Sequence, residues 1–142
     1  MKVVLLILGA LPFAVGGAQN WYMLHTDSLL PYGLMAVFFL FAWGGIAFLL
    51  NQAGKRTSQT VVFLNLIAAL DLLLVGAQEL IFHAYWMNDA GLWSQLFYLP
   101  LINLGFRLTS WSHGAFSAYA ASFVLMVGAA FAGAKLREKG KK

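Results

Sequence analysis

Apolar residues fall along the chain in four long stretches, at about 3–18, 30–50, 60–85 and 114–134, separated by short polar breaks. A helix needs about 20 mostly apolar residues to cross a hydrocarbon layer of about 30 Å. The second stretch holds an unbroken apolar run from Met35 to Trp43, the third is long and studded with polar residues, and the fourth is rich in alanine, glycine and serine. The pattern predicts an all-α integral membrane protein, a bundle of four transmembrane helices forming one domain over residues 1–142. A further apolar segment, at about 92–111, is interrupted by Pro100 and closed by Gly105 and Arg107. Its clean apolar part is short for a crossing, so an interfacial helix or a shallow re-entrant segment on the outer face is expected there.

Composition supports this reading. Apolar residues make up 61% of the chain and charged residues 10%, and the mean hydropathy is +0.77; soluble domains carry about 25% charged residues. A soluble chain of this kind would expose large apolar patches, and disorder needs the opposite balance of charge and hydrophobicity. With no cysteine, disulfides, thiolate metal sites and a cysteine nucleophile are excluded. The first stretch shares the small residues Gly16, Gly17 and Ala18 with a signal-peptide cleavage site. Its basic region is the single Lys2, however, and it reads as a retained helix.

Charge sets the expected orientation. Four crossings place Lys2, Lys55, Arg56, Lys135, Arg137, Lys139, Lys141 and Lys142 on one face and only Arg107 on the other. Lysine and arginine are retained on the cytoplasmic side, so both termini are expected in the cytoplasm. The basic tail 135–142 then lies against anionic headgroups, and the net charge of +4 gives no reason to invoke nucleic acid. Trp21, Tyr22, Tyr85, Trp86, Trp93, Tyr98 and Trp111 are expected at the outer interface, where amphipathic rings settle. Trp43 alone lies within a span.

Helices in lipid associate through small residues and interhelical hydrogen bonds. Candidate contact faces are Gly114, Ala118 and Ser122 with Ala129 and Gly133, the pair Gly9 and Gly17, and Gly44–Gly45. Thr57 or Ser58 is a natural cap for the third span, Pro31 suits the entry of the second, and Pro12 predicts a kink in the first.

The third span carries most of the polarity. At 100° per residue, Thr60, Asp71 and Gln78 lie within about 20° of one line, and Asn65, Glu79 and His83 within about 40° of another, about 100° away. An ionisable group at this depth costs several kcal/mol if left alone, so Asp71 must be protonated, paired or facing water. No basic residue lies at its level in this chain. Asp71, Gln78, Glu79 and Asn65 are therefore the candidate residues for a proton, an ion or a polar ligand.

Glu79 and His83 are four apart, a spacing at which two side chains share one helical face. With His25 and His113 they are a candidate metal set, and paired histidines are also haem ligands. A metal or haem is nonetheless not favoured, because the spacing matches no recognised signature. Arg107 is a candidate anion binder, or a salt-bridge partner for Asp89 or Glu79. Phosphate-cradling loops and the nucleophile elbow are absent, so no enzyme class is indicated. Small size, small-residue faces and an Asp71 without a basic partner favour an accessory or assembly subunit of a larger membrane complex, with hetero- or homo-oligomeric partners in the bilayer. The alternatives are a small homo-oligomeric channel or transporter lined by Asp71, Gln78, Glu79 and His83, and a metal- or haem-binding membrane protein using the outer-face histidines.

Overall fold

The computed structural model describes residues 2–26, 31–51 and 57–140; Leu30, Lys55, Arg56, Lys141 and Lys142, which entered the span and charge expectations, lie outside them. Among the described residues the secondary structure is helical, without strands. In chain order the elements are α1 (Lys2–Gly9), α2 (Leu11–His25), α3 (Tyr32–Leu50), α4 (Thr57–Leu64), α5 (Leu66–Gly76), a π-helical turn (Ala77–Ile81), α6 (Asp89–Leu108) and α7 (Ala115–Lys139). Three helical units are long and apolar enough to cross a membrane: Lys2–His25, Tyr32–Leu50 and Ala115–Lys139. The bent pair Thr57–Leu64 and Leu66–Ile81 makes a fourth if counted as one.

The breaks have local causes. Between α1 and α2 the chain tightens at Ala10, whose N–H donates to Ile7 O while Phe13 N–H donates to Ala10 O. Pro12 then sits in the first turn of α2, where its missing donor is harmless. The regular helix is thus interrupted at Ala10, two residues before the proline that predicts a kink. Thr57 does not use its side chain as a cap; its hydroxyl donates to Glu138 across the bundle.

Connectivity gives the bundle two distinct ends. At one, Asn51 closes α3 and reaches the last turns of α7; Lys135, Arg137 and Lys139 gather there. At the other, Glu79 meets the first turn of α7. Helices α3 and α7 run in the same direction and touch backbone to backbone. A Cβ added to Gly133 would lie 1.9 Å from Gly44 O, and one added to Gly44 would lie 3.0 Å from Ala129 O. These are two of the small-residue faces marked in the sequence; Gly17 and Gly45 meet nothing within 4 Å.

Segment 92–111 takes a more regular form than expected. It lies mostly within α6, a continuous 20-residue helix that passes through both Pro100 and Gly105. Proline cannot donate to the carbonyl four residues back, which frees Leu96 O inside the bundle. Gly16 of α2 packs directly over that carbonyl, so closely that an added Cβ would sit 1.9 Å from it. The freed acceptor thus faces backbone CH rather than a side chain, a contact of the weak Cα–H···O kind. Both ends of α6 return to the Glu79 end: the preceding loop is tied to Gln78 through Trp86, and a short loop leads on to α7. One face of α6, from Gly91 through Tyr98 to Gly105, is buried against its neighbours.

The core centres on Trp43, Leu64, Val75, Phe97, Tyr98, Leu101 and Met126. Tyr98 is fully buried, which corrects its expected interfacial position. Its hydroxyl finds a partner inside the bundle, donating to Ala68 O at 2.6 Å, so the ring has no need to reach water. Trp21, Trp93 and Trp111 do lie exposed, as do large apolar side chains along several helices, among them Leu24, Phe38, Phe41, Leu73 and Val124.

Gly133→Val forces a side chain into the Gly44 backbone and is expected to cost about 1–3 kcal/mol. A lowered melting temperature, followed by circular dichroism on the purified protein, measures it. Gly128→Ala, placed in open space, is expected to leave the melt unchanged or raise it, since alanine is the better helix former by about 1 kcal/mol.

Candidate functional site

Above the basic end, Asn65, Asp71 and the pair Gln78 and Glu79 occupy three levels of the bundle, and each level is built differently. Lowest is Asn65, at the 46° bend between the two halves of the third long unit. Its side-chain nitrogen donates to Val61 O at 2.9 Å, the same carbonyl that accepts its backbone N–H. A side chain competing for the helical ladder in this way loosens the turn and favours a bend. Asn65 Oδ1 accepts the indole N–H of Trp43 at 3.1 Å, and Trp43 stacks on Phe39. Both Trp43 and Asn65 are buried, so this candidate ligand residue is committed to holding a core tryptophan.

Asp71 lies at the middle level. It is 7% exposed, and its Oδ2 is buried without a hydrogen-bond partner. The carboxyl is within electrostatic reach of the Tyr98 and Tyr119 hydroxyls, and those two rings pack edge to face with centroids 5.7 Å apart. Three helices, α5, α6 and α7, thus converge on one carboxyl. Asp71 faces the interior of its own bundle, not an outer surface awaiting a partner.

At the upper level the π turn sets the geometry. A π turn adds a residue to the helical ladder, seen here where Phe82 N–H donates to Ala77 O, five residues back. This places Gln78 wholly inside. Its Oε1 accepts from Trp86 N–H at 2.9 Å, and its Nε2 donates to Ser94 Oγ at 3.1 Å. Ser94 in turn donates to Gly91 O, and Gly91 N–H donates to Asn88 Oδ1, the cap of α6. Gln78 is the tie that holds the loop and the start of α6 onto α5.

Glu79 turns toward α7. Its Oε2 accepts the Phe116 N–H at 2.7 Å and the Tyr85 hydroxyl. A carboxylate at a helix N-terminus satisfies a free donor and complements the helix dipole. Gly114 packs closely on this carboxylate: a Cβ there would fall 2.3 Å from Glu79 Oε1, so a larger residue would require the Glu79 side chain to shift. Partial burial, then the bond to Glu79 and its charge, push the Tyr85 hydroxyl above its ordinary value of 10, so it stays a donor at neutral pH.

The remaining candidates do not join these levels. His83 lies beyond the end of the helix at φ 51°, in the left-handed region that non-glycine residues seldom adopt. It is exposed, and the i, i+4 pairing with Glu79 does not form because the helix has already ended. His25 stacks on Trp21 and bonds its carbonyl, while His113 is exposed before α7. Among the described residues no three histidine, aspartate or glutamate side chains group as a metal site requires. Arg107 is exposed, and the Lys135–Glu138 pair is the ion pair formed among the described residues, so neither Asp89 nor Glu79 holds it.

A polar knot that no pattern in the sequence marks closes the opposite end. Buried Asn51 donates to Ala134 O at 2.7 Å and to Thr57 Oγ1 at 3.3 Å, and accepts from Thr60 Oγ1 at 3.1 Å. Thr57 passes the chain on to Glu138. A polar residue closing an apolar helix reads in sequence as the start of a loop; only the approach of α4 and α7 makes it a junction.

Glu79→Ala leaves the Phe116 N–H and the Tyr85 hydroxyl without their acceptor and is expected to cost about 1–3 kcal/mol, measured by chemical unfolding. Tyr85 also makes stability depend on alkaline pH. Its folded value lies above its unfolded one, so its contribution is complete below pH 10 and declines as pH rises beyond it. In unfolding curves between pH 8 and 11, Tyr85→Phe is expected to lose part of that decline.

No family model matches the chain, and neither a curated protein nor a solved structure is found to be similar to it.

Proposed function

We propose that the chain is an integral membrane protein, with both termini on the basic, cytoplasmic side, that serves as an accessory or assembly subunit of a larger membrane complex. Its apolar exterior, its span-length helices and its basic end support the membrane reading. Large hydrophobic residues face outward from several helices, an arrangement stable in lipid and aggregation-prone in water.

One observation carries the choice of a packing role over a conduit. Of the buried or half-buried polar side chains on the third long unit, Thr60, Asn65, Gln78 and Glu79 are all bonded within the chain. Residues that would line a path for ions are instead the joints of the scaffold. What the molecule offers to its surroundings is helix surface. Asp71, enclosed by its own α6 and α7, is not the residue that greets a partner.

Asp71 itself favours a second reading. A buried carboxyl with an unpartnered oxygen is a place to hold a proton or a small cation, and a homo-oligomer using it would be a transporter.

Native mass of the tagged protein, extracted from its own membranes in mild detergent, separates the two. Co-migrating subunits of other sequence are expected, with Asp71→Asn assembling normally. A chain that runs as a monomer or pure homo-oligomer overturns the accessory role. In that case, loss of flux from proteoliposomes on Asp71→Asn, with assembly intact, would establish the second reading.

A further inference from the structure

Helices α3 and α7 leave an open, apolar groove beside their crossing. Val37, Phe41, Gly45 and Phe48 of α3 and Ala132 and Leu136 of α7 line it, and its volume is about 470 Å³, within the range of small-molecule sites. The groove exists because Gly44 and Gly133 bring the two backbones together while Gly45 supplies no side chain to fill the space alongside.

Its end at Phe48 and Leu136 has a different chemistry. There the Arg137 guanidinium lies over the Phe48 ring, 5.2 Å from its centroid. Its Nε is buried without a hydrogen-bond partner. The nearby carboxylate of Glu138 is already taken by Lys135 and Thr57, and Arg137 makes no ion pair among the described residues. An arginine stacked on an aromatic ring, with donors to spare, matches a phosphate. Lys135 and Lys139 in the same last turns make this end basic.

We propose that this groove is a binding site for an anionic phospholipid, with an acyl chain between α3 and α7 and the phosphate on Arg137. Charge complementarity selects the occupant: an apolar trough that ends in an unpaired guanidinium fits one amphiphile with an anionic head. The site rests on the membrane reading given above. It adds a defined lipid position, on the basic side of the bundle, to an exterior that otherwise meets lipid without distinction.

The test uses the full-length protein in a non-ionic detergent, incubated with equimolar phosphatidylglycerol and phosphatidylcholine of identical acyl chains. Native mass spectrometry counts the lipid retained. Phosphatidylglycerol is expected to exceed phosphatidylcholine by about fivefold, the weight of one cationic side chain at an anionic surface. Arg137→Gln is expected to bring the ratio to about one. Gly45→Leu, whose side chain enters open space, is expected to reduce retention of both lipids while circular dichroism shows the helices intact. Equal retention by the wild type, an unchanged preference in Arg137→Gln, or full retention in Gly45→Leu overturns the site. Failure of the membrane reading is separately visible: the protein would then leave its native membranes in alkaline carbonate, before any lipid is added.

Discussion

The indole N–H of Trp43 has no water to turn to, and Asn65 on another helix is the group that accepts it. The same constraint recurs throughout the molecule. A polar atom in an apolar bundle costs free energy unless it finds a partner inside, and with so few polar residues each pairing fixes how two segments meet. Asn51 joins the ends of α3, α4 and α7; Gln78 binds the loop and α6 to α5; Glu79 binds the π turn to α7. Irregularities of the backbone sit at these joints. The bend at Asn65 and the π turn beneath Gln78 are the backbone adjustments that aim these side chains at their partners.

Between the joints, backbones approach closely. The crossings at Gly44 with Gly133, at Gly16 with Leu96, and at Gly105 with Ala118 leave no room for even a methyl group. Dispersion between closely packed atoms contributes to holding such helices together. The Gly16 contact also resolves the problem set by Pro100, because it covers the carbonyl that proline cannot serve. Small residues and polar joints therefore divide the work: the first set distances, the second set register and orientation.

Asp71 stands apart from this economy. Its Oδ2 is unpartnered while Tyr98 and Tyr119 lie nearby. A purely structural role would be served as well by an apolar residue, which is why Asp71 supports a second reading, while the groove that ends beside Arg137 is open to the exterior.

The sequence by itself determined the helical class, the long apolar units and the clustering of basic residues, because these depend on composition and on the length of apolar runs. It also marked Asn65, Asp71, Gln78 and Glu79 as unusual, since polar residues within a long apolar run stand out without any knowledge of neighbours. Tertiary structure alone decided what those residues do. Periodicity places a side chain on a helical face but does not say which helix faces it, and a single π turn re-aims everything beyond it. Hence Glu79 and His83 part company despite ideal helical spacing, Tyr98 turns inward where the aromatic rule sends it to the interface, and Asn51 becomes a junction of three helices. Pairing between segments distant in sequence is a property of the packed bundle, and no local pattern encodes it.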